Sequence, residues 1–171
     1  MSGHISRRMF VASATGSMAA ASFATFATAQ SPATRPEQAK KDKGPPIAPE
    51  LVREFVGAGH AKLERCKEML EQYPTIVNAC WDWGGGDFET ALGGASHMGR
   101  PDIATFLIER GARVDIFAAA MLGRLDVVKA ACGAFPNTRD VRGPHGITLL
   151  EHARKGGEPA RAVRAFLESL G

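Results

Sequence analysis

Residues 90–123 read TALGGASHMGRPDIATFLIERGARVDIFAAAMLG, and they contain one pattern twice. Thr90, Leu92, Ala95, Ser96 and Gly99 hold relative positions one, three, six, seven and ten; Val114, Ile116, Ala119, Ala120 and Gly123 hold the same five. An acid follows each glycine by three residues, Asp102 in the first copy and Asp126 in the second. An apolar run comes next, Ile103, Phe106 and Leu107, then Val127, Val128 and Cys132. The small pairs Ala95–Ser96 and Ala119–Ala120 let neighbouring helices approach closely, and the i, i+3, i+4 spacing of Ile103, Phe106 and Leu107 makes the apolar face of a second helix. Gly99 and Gly123 suit a tight turn between the two helices, and Gly111 suits a helix C-terminus. A helix pair of this size cannot close a core alone, so each must stack on its neighbour.

This spacing resembles the ankyrin repeat, T-P-L-H-x-A-A-x-x-G followed by an acid and paired apolar residues. The resemblance implies an all-α solenoid of about four helix-turn-helix repeats over residues 49–171. The first runs from Pro49 to Asn78, with Leu51, Val52, Phe55 and Val56, then Leu63, Cys66, Met69 and Leu70, on its two helices. The third runs from Val114 to Pro136, and the fourth keeps Thr148, Leu150, Ala153 and Gly157 in register. Val163, Phe166, Leu167 and Leu170 supply the face of the last helix, with Arg154 and Arg161 making a more polar cap. Residues 51–171, through WDWGGGDFETALGGASH, FAAAMLGRLDVV and GPHGITLLEHA, also resemble a group of small bacterial ankyrin proteins of unassigned activity.

The spacing of the repeats is uneven. Glu64 to Asp102 spans 38 residues and Asp102 to Asp126 only 24. The first connecting finger, ACWDWGGGDFE at 79–89, is therefore long, and the next is nearly absent, because Arg113 runs directly into a helix. The long finger is expected to fold over the space so left. It holds both tryptophans and three consecutive glycines, read as a flexible tip.

The amino end resembles a twin-arginine signal. Ser6-Arg7-Arg8-Met9-Phe10-Val11 is followed by an Ala-rich stretch ending in the small-x-small site Ala27-Thr28-Ala29. Residues 1–29 are thus read as a signal peptide and 30–48 as a Pro/Lys-rich linker, with the mature chain exported to the periplasm or exterior. No membrane association is expected after cleavage. Of the 171 residues, 44% are hydrophobic and 23% charged, ordinary for a globular chain. Without Arg7 and Arg8, 19 of the 21 Lys and Arg remain against 18 acids, a net of +1 that makes no electrostatic case for nucleic acid.

No catalytic signature, phosphate loop or cofactor motif stands in the chain, so no catalysis and no cofactor are expected. Cys66 and Cys132 fall on apolar stripes; Cys80, in the finger, is the one thiol expected to be reactive. His60, His97, His145 and His152 lack i, i+4 ligand spacing, so turn and core roles are expected and no metal is assigned. An alternative metal protein or hydrolase would use His97, His145 and Asp87; another is an accessory to an envelope enzyme. The leading expectation is a protein-binding module whose partner contacts are Trp81, Asp82, Trp83, Asp87, Phe88, Glu89 and His97.

Overall fold

The computed structural model describes residues 44–171; Arg7, Arg8 and the signal and linker expectations up to residue 43 lie outside the described residues. Eight α-helices follow in four pairs among those residues: α1 (Pro49–Gly59) with α2 (Leu63–Gln72), α3 (Ala91–His97) with α4 (Pro101–Glu109), α5 (Ile116–Met121) with α6 (Leu125–Ala134), and α7 (Leu149–Lys155) with α8 (Arg161–Ser169). The first helices stack in series, α1 on α3, α3 on α5 and α5 on α7. No helix among the described residues is long and apolar enough to cross a membrane.

The chain is mostly helical but not wholly so. β1 (Cys80–Asp82) and β2 (Phe88–Thr90) pair antiparallel, with Cys80 opposite Thr90, Trp81 opposite Glu89 and Asp82 opposite Phe88. The all-α expectation missed this hairpin because three-residue strands carry too little periodicity to register. Its glycine tip is also less loose than expected. Gly84, Gly85 and Gly86 all have positive φ, and Asp82 Oδ1 accepts from the Gly84 and Gly86 N–H groups at 2.8 and 3.1 Å.

Side-chain caps set where three of the first helices begin. Thr90 Oγ1 accepts from Gly93 N at 3.0 Å, and Asp115 Oδ1 accepts from Ala118 N at 2.8 Å. Thr148 and Glu151 form a reciprocal capping box. Each cap is worth about 1 kcal/mol. The cap of α5 is Asp115, one residue later than Val114, which the repeat register placed at position one and which lies exposed. The Gly99 and Gly123 turns have φ of +67° and +71°, as expected, and a Cβ at Gly123 would run into the Pro159 carbonyl.

Many of the expected core residues are buried, but Leu51, Val52, Leu63, Phe106, Cys132, Phe166 and Leu170 are only half-buried, and at the start of α7 Leu149, not the expected Leu150, is the one fully buried. Phe55, Cys66, Met69, Leu92, Ile103 and Leu107 fill one apolar cluster; Ala119, Val128, Leu149, Val163 and Leu167 fill a second. Within the repeat pattern's paired valines only Val128 is inside, since Val127 faces solvent. Where α1 meets α3 the close approach is at Gly59 rather than the expected Gly57–Ala58 pair: a Cβ there would overlap the Ala91 backbone at the start of α3.

α3 is the centre of the stack. It packs on α1, α4, α5, α7 and β2, and all seven of its residues are buried. Behind it, the connection from α4 to α5 is short and is pinned by Asn78, which donates to Gly111 O at 3.0 Å and accepts from Arg113 N at 2.8 Å. No finger rises there, so the hairpin at 80–90 meets the loop at 143–147 across the gap.

Candidate functional site

Strand alternation sorts the hairpin into two faces. Trp81 and Trp83 fall on one side of the pleat with Asp87 and Glu89, and Cys80, Asp82 and Phe88 on the other. The second group is exposed, Phe88 at 61%. In the first group Glu89 lies against α3 and is 1% exposed, Asp87 meets the 143–147 loop, and Trp83, 37% exposed, lies beside α1. The seven expected partner-contact residues thus divide. Asp82 and Phe88 face solvent, Trp81 is half-buried, and Trp83, Asp87, Glu89 and His97 belong to one polar cluster.

Glu89 is the hub of that cluster. Its side chain lies against Gly93 of α3, where a Cβ would come within 3.2 Å of the Glu89 Cγ. Its Oε1 is 3.0 Å from His97 Nδ1. Its Oε2 accepts from Trp83 Nε1–H at 2.7 Å and sits 3.4 Å from His60 Nε2 and 3.6 Å from His145 Nε2. The His60 and His97 rings are 4.9 Å apart and the His97 and His145 rings 5.1 Å, both edge-on. Three of the four histidines that sequence spacing kept apart therefore converge on one buried carboxylate. One potential ligand atom from each of His60, Glu89, His97 and His145 lies within 4.8 Å of the others.

Each ligand is held in place by the fold. His60 is the C-cap of α1, and its Nδ1 is 3.2 Å from Val56 O, one turn back. It fits because position 94 is glycine: a Cβ there would lie 2.8 Å from His60 Nδ1. Gly93 and Gly94 together cost a helix about 2 kcal/mol relative to alanine, and the room they leave is filled by Glu89 and His60. His97 closes α3. His145 occupies a left-handed conformation at φ 59°, uncommon for a residue with a side chain. Asp87 secures it there, accepting from the His145 backbone N–H at 2.8 Å and lying 2.7 Å from Nδ1.

The hydrogen bonds fix the tautomers. A carbonyl and a carboxylate can only accept, so Nδ1 of His60 and Nδ1 of His145 both carry hydrogen and donate. In the neutral rings each Nε2 then turns a bare lone pair toward Glu89 Oε2. Glu89 Oε1 and His97 Nδ1, though close, lack hydrogen-bond alignment, and both atoms are buried with no hydrogen-bond partner. Lone pairs gathered around an anionic oxygen need a cation between them, either protons on the rings or a metal ion. Burial pushes the Glu89 carboxyl up, but His97, the Trp83 N–H and His60 outweigh it and hold the group below its ordinary range. Asp87 is held low as well, first by the His145 backbone N–H.

The fourth histidine stands apart. His152 is fully buried in α7, donates from Nδ1 to Thr148 O at 2.8 Å and packs 4.9 Å from the Phe117 ring. Burial pushes its pKa down, so it stays neutral, as the core role expected of it requires.

Sequence reasoning named Glu89 only as a partner contact and gave His60 no role in a site, while its alternative metal reading named His97, His145 and Asp87, which the structure does bring together. The available signals were the W-D-W-G-G-G-D-F-E alternation, which pairs Glu89 with the tryptophan face, and the double glycine inside a helix. No family model matches the chain, and no curated protein matches it.

Proposed function

We propose that this chain is a metal-binding protein that holds one divalent transition-metal ion through His60, Glu89, His97 and His145. The observation that carries the reading is the convergence of three imidazoles on a buried carboxylate, with two buried polar atoms left unpaired. His60 Nε2 and His145 Nε2 lie 3.4 and 3.6 Å from Glu89 Oε2, close to the roughly 3.4 Å edge of a tetrahedron at zinc–nitrogen distances, while His97 Nδ1 lies 3.0 Å from the other carboxylate oxygen. Outer partners support it too. Ligating histidines commonly give their second N–H to a carboxylate or a backbone carbonyl, as His145 does to Asp87 and His60 to Val56. An imidazole and carboxylate set without thiolate suits zinc, iron, nickel or copper.

In this proposal the helix pairs are ankyrin-like and serve as the scaffold. Serial stacking of the first helices and the recurring Thr90, Asp115 and Thr148 caps favour that relationship. Export remains part of the reading through Arg7 and Arg8; replacing both with Lys strands the precursor in the cytoplasm if the signal works as proposed. A partner-binding role for the hairpin rests on Phe88, its most exposed large side chain.

Equilibrium dialysis of the full chain against zinc tests the metal reading. One equivalent binds the native chain. His97→Ala or Glu89→Gln weakens binding by about 100-fold or more, and Asp87→Asn by about 10- to 100-fold. Binding that is absent, or equal in these variants, contradicts the reading.

A further inference from the structure

We infer that the metal at this site works as a clasp: loading it locks the hairpin 80–90 and the loop 143–147 onto the helix stack, and removing it frees both while the helices stay folded. The inference rests on the metal reading above and gives that ion a switching role.

The four ligands stand on two kinds of support. His60 caps the end of α1 and His97 closes α3. Both helices are fixed by the first apolar cluster, through Phe55 and Ala58 on one and Ala91, Leu92 and Ala95 on the other. Glu89 and His145 have no such support, because no residue of 80–90 or 143–147 belongs to either apolar cluster. In the hairpin only Glu89 is fully buried, and in the loop no residue is. A lone two-stranded hairpin is marginal in water and is ordinarily held down by an apolar face. Here the side chain that goes inside is a carboxylate.

The remaining bonds do not fasten these segments to the stack. Asp82 with the Gly84 and Gly86 N–H groups, and the Trp83 N–H with Glu89, are bonds within the hairpin. Asp87 and His145 join the hairpin to the loop, so the two move together. Ala79, which packs on the first apolar cluster, and Thr90, which caps α3, tie the hairpin only at its ends. What the hairpin turns toward the helices is Glu89, and His60 and His97 are what it meets. With neutral rings that meeting leaves Glu89 Oε1 and His97 Nδ1 without a hydrogen bond. A metal ion replaces it with bonds to four separate segments. Since those segments come together only when docked, binding free energy becomes docking free energy. The hairpin's outer face, with Phe88 61% exposed, is then held in one pose only in the loaded chain.

Hydrogen–deuterium exchange of the full chain tests this, read by mass spectrometry at pH 8, above the ordinary histidine pKa. With zinc removed by a chelator, amides of 80–90 and 143–147 are expected to exchange at nearly unprotected rates while α1, α3 and α5 stay protected. Zinc at 100 times its Kd slows exchange of both segments by up to about 100-fold. In Glu89→Gln, with zinc affinity lowered 100-fold, the same zinc slows them by about two-fold at most. The clasp is overturned, and the metal reading left intact, if zinc binds but both segments are already as protected as α3 without it, or stay unprotected with it. Loss of protection in α1 and α3 along with the hairpin also overturns it, since the ion would then hold the whole fold. Failure of zinc to bind overturns the metal reading itself.

Discussion

Two histidine environments sit within one stack of helices. His152 in α7 is enclosed by apolar neighbours, keeps one hydrogen bond to Thr148 and is neutral. His97, at the end of α3, is also buried, yet it faces a buried carboxylate and two further imidazoles. Both have an unpaired buried nitrogen, but only His97 points it at an equally unpaired oxygen. Burial alone therefore says nothing about a ligand; the neighbours decide. A lone buried imidazole loses solvation and sheds its charge, whereas a group of them around an anion concentrates lone pairs in a space a cation would fill.

The contrast extends to the helices that carry them. α5 and α7 meet through Ala119, Ala120 and Ala153 within a dry cluster, and at their ends Gly156 lies directly against the Met121 carbonyl, leaving no room there for a side chain. α1 and α3 meet through glycines, and the extra room is taken up by Glu89 and His60.

The largest effect is expected where Gly59 lets α1 touch the Ala91 backbone of α3. Gly59→Ala pushes α1 off α3 and lowers stability by roughly 3 kcal/mol, at the upper end of the overpacking range; thermal unfolding measures it. Ala119→Leu overpacks the dry interface for about 1–3 kcal/mol, but leaves zinc affinity unchanged because that interface lies outside the site. If Ala119→Leu impairs zinc binding, the two regions are not distinct.

Trp83→Phe keeps a ring and loses the hydrogen bond to the buried Glu89. It costs about 1.5–3 kcal/mol in chemical denaturation. A protein-contact tryptophan would leave stability untouched, so this variant separates a site role from the expected partner-contact role. His152→Leu exchanges one hydrogen bond for apolar packing; it changes stability by less than about 1 kcal/mol and leaves metal binding as it was. The smallest effect concerns the thiols. Burial pushes Cys66 up to about 11, so it resists alkylation at pH 8 until the chain unfolds, while exposed Cys80 reacts in the native state. Mass spectrometry of the alkylated protein distinguishes them.

How much of this was legible from the sequence follows the range of the interactions. Helix pairs, their small-residue contacts and the Gly99 and Gly123 turns are local, and positions 90–123 display them directly. The short link before α5 was legible too, and with it the space over which the hairpin folds. The site was legible only in part: the alternative metal reading named His97 and His145 with Asp87, but not His60 or Glu89 as members of the cluster, because helix stacking and the hairpin, not spacing along one helix, bring these groups together. Gly93 and Gly94 were the local trace of that gathering. Two glycines inside a buried helix are unfavourable unless something large must pass close by, and here Glu89 and His60 do.

X-ray absorption at the zinc edge of the loaded full chain tests the central claim most directly. The account predicts a first shell of nitrogen and oxygen near 2.0–2.1 Å with outer-shell scattering from about three imidazoles. A sulfur shell near 2.3 Å, or an oxygen shell without imidazole scattering, would contradict it.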